Sequence, residues 1–268
     1  MAIDLTKLSR PSSGRPMIGT LFGEGGMGKT TLAAMFPKPV FIRAEDGTAS
    51  LDKRQEHPWR FMDDLDVLLF PVAKSTGDIF EQIEALAEQE HDRKTLVIDS
   101  ITQFEKIAMR EIIESEPNPK CKNMAAAHGG YGKAFGILDK MHQDLREAAD
   151  YLATHCEMNV VFLAHATVED LELPDIDKYS RYTIQLHKNR QYDCVHHYSN
   201  NADLVAFIRL KTNLRGTESG KKRAISDGER EIIAYPVASN ISKNRFGITG
   251  PIPFDLDGEF PFQKYVAS

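Results

Sequence analysis

The sequence predicts an α/β fold with a mainly parallel central sheet flanked by helices and with additional C-terminal strands. Short apolar segments, typical of buried strands, alternate along the chain with longer segments of helical apolar spacing. A glycine-rich segment at residues 23 to 30 separates the first predicted strand from the first predicted helix. This alternation is typical of βαβ units, in which neighbouring strands are parallel.

The predicted elements follow one another from residue 17 onward. Strands are expected at 17–22, 39–44, 95–99 and 159–164, and helices at 29–36, 78–90, from 100 to the prolines near 117, and at 135–153. Further strands are expected at 204–210, 231–236 and 237–242, with a turn at 215–228 between the first two. These additional strands would extend the sheet on its C-terminal side.

The chain is expected to form one domain with a short extension. Residues 1–16 contain prolines, serines and a glycine, which favour an irregular N-terminal arm over a packed element. Residues 17–268 are then expected to form a single domain, with loops at about 117–133 and 167–201. The second loop is long for a compact domain, which suggests either a functional role or disorder.

The composition and the lengths of the apolar runs indicate where in the cell the protein is expected. The 268 residues are 41% hydrophobic and 27% charged, which is typical of a globular protein, and the formal net charge is −6. The apolar runs are shorter than the roughly 20 residues of a membrane-spanning helix, and the start of the chain lacks an apolar signal segment. We therefore expect a cytoplasmic protein whose three cysteines are reduced.

The segment at residues 23 to 30 reads Gly-Glu-Gly-Gly-Met-Gly-Lys-Thr, the pattern of a P-loop. In such a loop the backbone N–H groups surround a phosphate, the lysine neutralises phosphate oxygens and the hydroxyl binds Mg²⁺. The alternative is a glycine turn with a surface lysine. We expect an ATP site with Mg²⁺, formed by Gly23, Glu24, Gly25, Gly26, Met27, Gly28, Lys29, Thr30 and Thr31.

Asp99 ends the apolar strand at 95–99 and is followed by a serine. A carboxylate at the end of a strand beside the P-loop strand can hold the magnesium shell together with Thr30. The alternative is a helix N-cap, since Asp and Ser both cap helices well, and one residue can serve both roles. The sequence therefore predicts Asp99 as the aspartate on the magnesium side.

Two further polar residues are expected at strand ends near the phosphate. Glu45 follows the strand at 39–44 and could orient or deprotonate the attacking water, with Asp46 as its close competitor. His165 ends the strand at 159–164, where it could sense the γ-phosphate. A buried, hydrogen-bonded histidine is the equally weighted alternative.

These motifs, in this order, resemble the RecA-like ATPases, and most closely the short phage and prophage ATPases described as RecA-like single-strand annealing proteins. The resemblance implies that Glu45 is the catalytic glutamate, Asp99 the magnesium aspartate and His165 the sensor. Residues 242–250 are similar to a Lys-x-Arg segment of replicative-helicase and clock-type cores. By that resemblance Lys243 and Arg245 reach the ATP of a neighbouring subunit in a ring or filament. The alternative is a basic strand exposed to solvent.

The same resemblance implies that two loops face single-stranded DNA. Basic residues interleaved with aromatic residues suit single strands, because charge follows the backbone and rings stack on bases. The second loop also carries acidic residues, which would repel phosphate, and its tyrosines could equally pack in the core. The candidate DNA contacts are Lys122, Tyr131, Lys133, Arg181, Tyr182, Lys188 and Arg190.

Three functions follow from this pattern. The leading interpretation is an oligomeric, ATP-dependent protein that binds single-stranded DNA and promotes annealing or strand exchange, in the cytoplasm of a bacterial host if it is phage-encoded. A single-strand-binding protein is then a further candidate partner. The alternatives are a helicase-like motor or helicase loader, and a regulatory ATPase that does not act on DNA, which the acidic net charge favours.

Overall fold

The computed structural model describes residues 15–45, 66–118, 120–211, 213–216, 222–225, 228–256 and 258–266. Almost all of the expected N-terminal arm, and Asp46, lie outside these residues. Among the helices that can be described, α1 spans Lys29–Ala34, α2 Thr76–Glu88, α3 Ile101–Glu114, α4 Lys133–His155 and α5 His196–Ser199.

The strands are β1 (Ile18–Gly23), β2 (Pro39–Arg43), β3 (Leu68–Leu69), β4 (Thr95–Asp99), β5 (Asn159–Leu173), β6 (Ile176–Ile184), β7 (Leu204–Leu210), β8 (Asn213–Gly216), β9 (Lys222–Ile225), β10 (Arg230–Ile233), β11 (Lys243–Asn244) and β12 (Ile252–Phe254). The main sheet has the order β12-β10-β7-β1-β5-β4-β2-β3. In this order the neighbouring strands from β7 to β3 are parallel. At the other side of β7, β10 pairs antiparallel with β7 and β12 pairs antiparallel with β10. The α/β fold with a mainly parallel sheet is confirmed.

Each central strand is buried on both faces, so its apolar side chains alternate between two cores. In β4, Leu96 and Ile98 pack with helices α2, α3 and α4, while Val97 packs on the opposite face with α1. The C-terminal residues Phe254 and Phe262 belong to the second core. This arrangement places the carboxyl ends of β1, β2, β4 and β5 at one edge of the sheet.

Three predictions about the C-terminal half are wrong. The expected loop at 167–201 contains a long hairpin, because β5 continues to Leu173 and pairs antiparallel with β6. The expected turn at 215–228 contains part of the hairpin of β8 and β9. Residues 237–242 form a turn with isolated bridges instead of a strand. In the first two segments the alternating charges and polar residues conceal strands that lie outside the buried sheet.

A buried hydrogen-bond network joins helices α3, α4 and α5. His142 of α4 contacts the carboxylate of Glu105 through Nε2 at 3.2 Å and the hydroxyl of Tyr198 through Nδ1 at 2.8 Å. Since a carboxylate only accepts, Nε2 carries the proton and Nδ1 accepts from the Tyr198 hydroxyl. The carbonyl of Tyr198 accepts a hydrogen bond from Thr20 of β1, which links the network to the P-loop strand.

Replacing Tyr198 with phenylalanine is expected to lower the free energy of unfolding by about 1–3 kcal/mol, because it leaves the buried Nδ1 of His142 without a partner. Urea denaturation of the two proteins measures the difference. Tyr151→Phe is the matched control, since Tyr151 is half exposed. Equal losses in both variants would contradict a specific contribution from the Tyr198 hydroxyl.

Within the described ranges, no helix is both long enough and apolar enough to cross a membrane.

Candidate nucleotide site

The P-loop follows β1 directly and leads into α1, as the sequence predicts. Gly26 and Gly28 have φ values of 76° and 88°, a region that L side chains rarely adopt. A Cβ atom on Gly28 would also lie 2.5 Å from Leu256 Cδ2. The backbone conformation therefore favours glycine at position 28, and a larger residue there would also have to displace the Leu256 side chain.

Lys29 lies inside the loop with only 8% of its surface exposed. Its ammonium donates hydrogen bonds to the carbonyl oxygens of Gly23 at 3.1 Å and Glu24 at 2.8 Å. Burial lowers the pKa of Lys29, and the attraction of Asp99 and Glu45 opposes this effect only partly. A buried cation held by neutral carbonyl groups is well suited to receive phosphate oxygens.

Thr30 and Asp99 are in direct contact, since the hydroxyl of Thr30 donates to Oδ2 of Asp99 at 2.9 Å. The expectation that β4 lies beside the P-loop strand is wrong, because β5 separates β1 from β4. The contact forms because α1 carries Thr30 across the carboxyl end of β5. The two oxygens are the kind of ligands that Mg²⁺ prefers, so the residues fit the implied ion.

Burial raises the pKa of Asp99, while the Thr30 hydrogen bond acts in the opposite direction. A bound cation would offset the cost of this buried charge. Ser100, which follows Asp99, is the N-cap residue of α3, because its Oγ accepts a hydrogen bond from the backbone N–H of Gln103. The N-cap of this helix is therefore Ser100, and the N-cap alternative for Asp99 does not apply.

Glu45 lies at the same edge, beyond the end of β2. Its Oε1 accepts a hydrogen bond from the hydroxyl of Ser100 at 3.0 Å and lies 3.7 Å from Nε2 of His165. The imidazole of His165 is the main cause that lowers the pKa of Glu45, and burial opposes it. The side chain is therefore an ionised carboxylate near neutral pH, held beside the P-loop by two neighbours.

His165 is the last residue of β5 to align with β1, opposite Gly23. It is partly exposed, so the alternative of a fully buried structural histidine does not describe it. Its backbone N–H donates to the hydroxyl of Thr102 at 3.0 Å. The contacts of Ser100 with Glu45 and of Thr102 with His165 were not predicted, although the position of both residues just after a strand-end aspartate is a usable signal.

Lys243 and Arg245 lie away from the P-loop of their own chain. Lys243 pairs with Val205 of β7, and Val205 in turn aligns with Thr20 of β1. Lys243 therefore lies toward the amino-terminal edge of the sheet, away from the carboxyl end that carries the P-loop. The ammonium of Lys243 donates to the carbonyl of Asn200, and Arg245 forms an ion pair with Asp203 at 3.1 Å. Any contact of these two residues with nucleotide would have to be made to another subunit.

The candidate DNA contacts of the first loop are exposed. Lys122 lies on the surface, Tyr131 is 98% exposed with a φ of 54°, and Lys133 begins α4. Next to the first loop, the ring of Phe135 in α4 stacks on His187 of the second region, with centroids 3.9 Å apart.

The candidate DNA contacts of the second region lie in different environments: one packs on the core, two are ion-paired and one is exposed. Tyr182 packs on the core, where its ring stacks on Phe207 at 4.7 Å, which agrees with the alternative that the tyrosines of this loop pack in the core. Arg181 and Lys188 both form ion pairs with Glu169, at 2.7 and 3.0 Å. Arg190 is exposed.

Arg181 and Lys188 line a cleft of about 630 Å³ together with Lys243. The same cleft contains the carboxylates of Glu169 and Asp193, so three cations face two carboxylates there. Thr183 also lines it, with its hydroxyl buried and without a hydrogen-bond partner among the described residues. Sequence analysis placed Lys243 in a separate role and did not associate it with the hairpin.

A comparison with protein-family models agrees with this geometry. The model described as "AAA domain" matches residues 15–246, which include the P-loop, Glu45, Asp99, His165 and the Lys243–Arg245 segment. No curated protein matches the sequence. The chain therefore belongs to the AAA domain family of P-loop, nucleotide-dependent ATPases.

Proposed function

We propose that the protein is a Mg²⁺-dependent ATP hydrolase that couples its nucleotide state to single-stranded DNA, in the manner of phage recombination and annealing proteins. One observation carries this proposal. Strand β5 presents His165 to Glu45 at the nucleotide edge and continues without interruption into the hairpin that lines the basic cleft. A change at the γ-phosphate can therefore be transmitted along a single strand.

The proposed chemistry assigns one task to each residue at the nucleotide edge. Glu45, ionised and fixed by Ser100, accepts the proton of the attacking water or orients it. Lys29 and the loop N–H groups hold the phosphate oxygens. Thr30 and Asp99 hold Mg²⁺, which neutralises developing charge on the phosphates when bound.

His165 is proposed to report hydrolysis because it contacts Glu45 and sits at the start of the hairpin. When the interaction of Glu45 with water is lost, the contact at 3.7 Å is free to change. Glu169 lies four residues further along the same strand and holds both Arg181 and Lys188. Movement of β5 would therefore alter the charge that the cleft offers to a ligand.

The cleft suits a nucleic-acid backbone better than a base-specific contact. Arg181, Lys188 and Lys243 supply positive charge that can bind backbone phosphates without reading the sequence. Phosphate oxygens would compete with Glu169 for the two cations of the hairpin. Binding is then expected to weaken with salt.

Lys243 and Arg245 are proposed to act between subunits of a homo-oligomer. Both lie on the side of the sheet away from the P-loop, where a neighbouring copy could place its nucleotide. Arg245 is half exposed and its partner Asp203 is nearly buried, so the guanidinium can exchange that ion pair for another anion. ATP turnover per chain is expected to rise with protein concentration if this proposal holds.

Lys188→Ala is expected to weaken binding of a single-stranded oligonucleotide about tenfold, because it removes one charge-assisted contact. It is also expected to reduce the slope of affinity against salt by about 0.7. Fluorescence anisotropy with a labelled oligonucleotide, at several salt concentrations, measures both. Lys140→Ala is the matched control, since Lys140 is an exposed lysine of α4 that pairs with Asp144.

ATP hydrolysis by the same proteins is measured with and without the oligonucleotide. Stimulation by DNA in the wild type, and its reduction in Lys188→Ala but not Lys140→Ala, supports the coupling. Turnover that no polynucleotide changes would instead favour a regulatory ATPase. The pairing of Glu169 with both hairpin cations is the observation that favours this second candidate.

A further inference from the structure

A group of metal-ligating side chains lies between α4 and the segment at 193–197, outside the nucleotide site. It divides into an inner cluster of Glu105, His142 and Cys194 and an outer cluster of Asp139, His196 and His197. In each cluster one ligand atom of every residue lies within 4.8 Å of the other two. No step of the proposed ATPase chemistry uses either cluster.

The inner cluster is explained by hydrogen bonding alone. Both nitrogens of His142 have partners, in Glu105 and Tyr198, and the carboxylate of Glu105 also accepts from the backbone N–H of His187 at 2.8 Å. All three side chains are buried, and burial raises the pKa of the Cys194 thiol, which therefore stays protonated. A protonated, enclosed thiol is a poor ligand for a metal ion.

The outer cluster has a different character because it reaches the surface. His196 is exposed, Asp139 is partly exposed, and only His197 is buried. Nε2 of His197 lies 3.0 Å from Oδ1 of Asp139. Ligands of a tetrahedral zinc ion stand about 2.0–2.2 Å from the metal, so they lie slightly farther apart than these two atoms. Small side-chain shifts would therefore admit an ion, and solvent gives it a route of entry.

The two histidines converge although they are neighbours in sequence. Successive residues of a helix point about 100° apart, yet the ring centroids of His196 and His197 are only 3.9 Å apart. Nδ1 of His196 is held by the backbone carbonyl of Asp193. Donation to a carbonyl places the proton on Nδ1 and leaves Nε2 as the lone-pair donor, which is the usual arrangement around a metal-bound histidine.

We propose that Asp139, His196 and His197 bind a divalent transition-metal ion of the zinc class, with water completing its coordination. Two imidazoles and one carboxylate suit Zn²⁺ and related ions, whereas Mg²⁺ and Ca²⁺ prefer oxygen ligands alone. The ion joins α4 to the connection between β6 and β7. His196 also lines the basic cleft, so the bound ion adds positive charge at its wall. The site stands independently of the proposed DNA function.

The test uses the full chain without a histidine tag, stripped of metal with a chelator and kept in excess Mg²⁺. Zn²⁺ is titrated by calorimetry, and Co²⁺ is added in parallel as a spectroscopic substitute. His196→Ala and Asp139→Asn are the test variants; both residues are at least partly exposed, so the fold should tolerate the changes. His155→Ala is the matched control, because His155 is an exposed histidine at the other end of α4.

Wild type and His155→Ala are expected to bind one Zn²⁺ per chain at micromolar or lower concentration, and His196→Ala is expected to bind at least about tenfold more weakly, in the range seen when groups around a metal site are changed. The Co²⁺ complex should lack a thiolate charge-transfer band. No binding by the wild type, or unchanged binding in both test variants, overturns the proposal. A thiolate band would assign the ion to Cys194 or another cysteine and equally overturn it.

Discussion

Glu45→Gln is expected to reduce steady-state ATP turnover by about 10²- to 10⁴-fold while leaving ATP binding intact. Glutamine retains the size of the side chain and can still accept from Ser100, but it cannot take a proton from water. The Glu45 carboxylate makes no contact with the P-loop backbone among the hydrogen bonds described, so nucleotide affinity should change little. Turnover is measured by phosphate release and affinity by fluorescence of a labelled ATP analogue.

Glu114→Gln is the control for this change, because Glu114 is an exposed carboxylate at the far end of α3. The pH dependence gives a second criterion. Because the pKa of Glu45 is lowered, its carboxylate is ionised at every pH above the usual pKa range of glutamate. It becomes protonated, and can no longer accept a proton from water, only as the pH falls below that range. Turnover that survives in Glu45→Gln would transfer the role to another acid, with Asp46 as the first to examine.

Much of the nucleotide site could be predicted because its signals are local. The P-loop residues, with Lys29 and Thr30, are close together in sequence; Asp99 ends the apolar strand β4, and His165 directly follows the apolar part of β5. Parallel strands bring their carboxyl ends to one edge, so these residues share an edge and can meet across one intervening strand. This is why Thr30 reaches Asp99 even though the neighbour relation predicted for β1 and β4 is wrong.

The cleft could not be predicted because its signals are distant in sequence. Arg181 and Lys188 meet Lys243 only because β6 turns back along β5 and the 236–242 segment crosses beside Tyr182. The hairpin itself was concealed by its polar composition. Among its described residues only Ala166, Tyr182 and Ile184, near its base, pack in the core, so the rest of its strands need no apolar alternation. Tyr182 was placed on a loop for the same reason, although it packs on Phe207.

Lys29→Met is expected to abolish stabilisation by ATP and to lower turnover by at least about 10²-fold, because the only buried cation of the described loop residues is removed. In the nucleotide-free protein the same substitution is expected to preserve or increase stability. Burial lowers the pKa of Lys29, which means that the folded state disfavours its charge, and methionine removes that cost while keeping an unbranched stem. The melting temperature without ATP should therefore be equal to or above that of the wild type.

Differential scanning fluorimetry with and without Mg²⁺ and ATP separates these effects, since a ligand that binds only the folded state raises its melting temperature. Because the pKa of Lys29 is lowered, the wild type should gain stability relative to Lys29→Met as the pH rises through that pKa and the ammonium loses its charge. Lys38→Met, at an exposed lysine paired with Asp92, should retain both ATP stabilisation and turnover. A Lys29→Met protein that ATP still stabilises as strongly as the wild type would contradict the assignment of the P-loop as the nucleotide site.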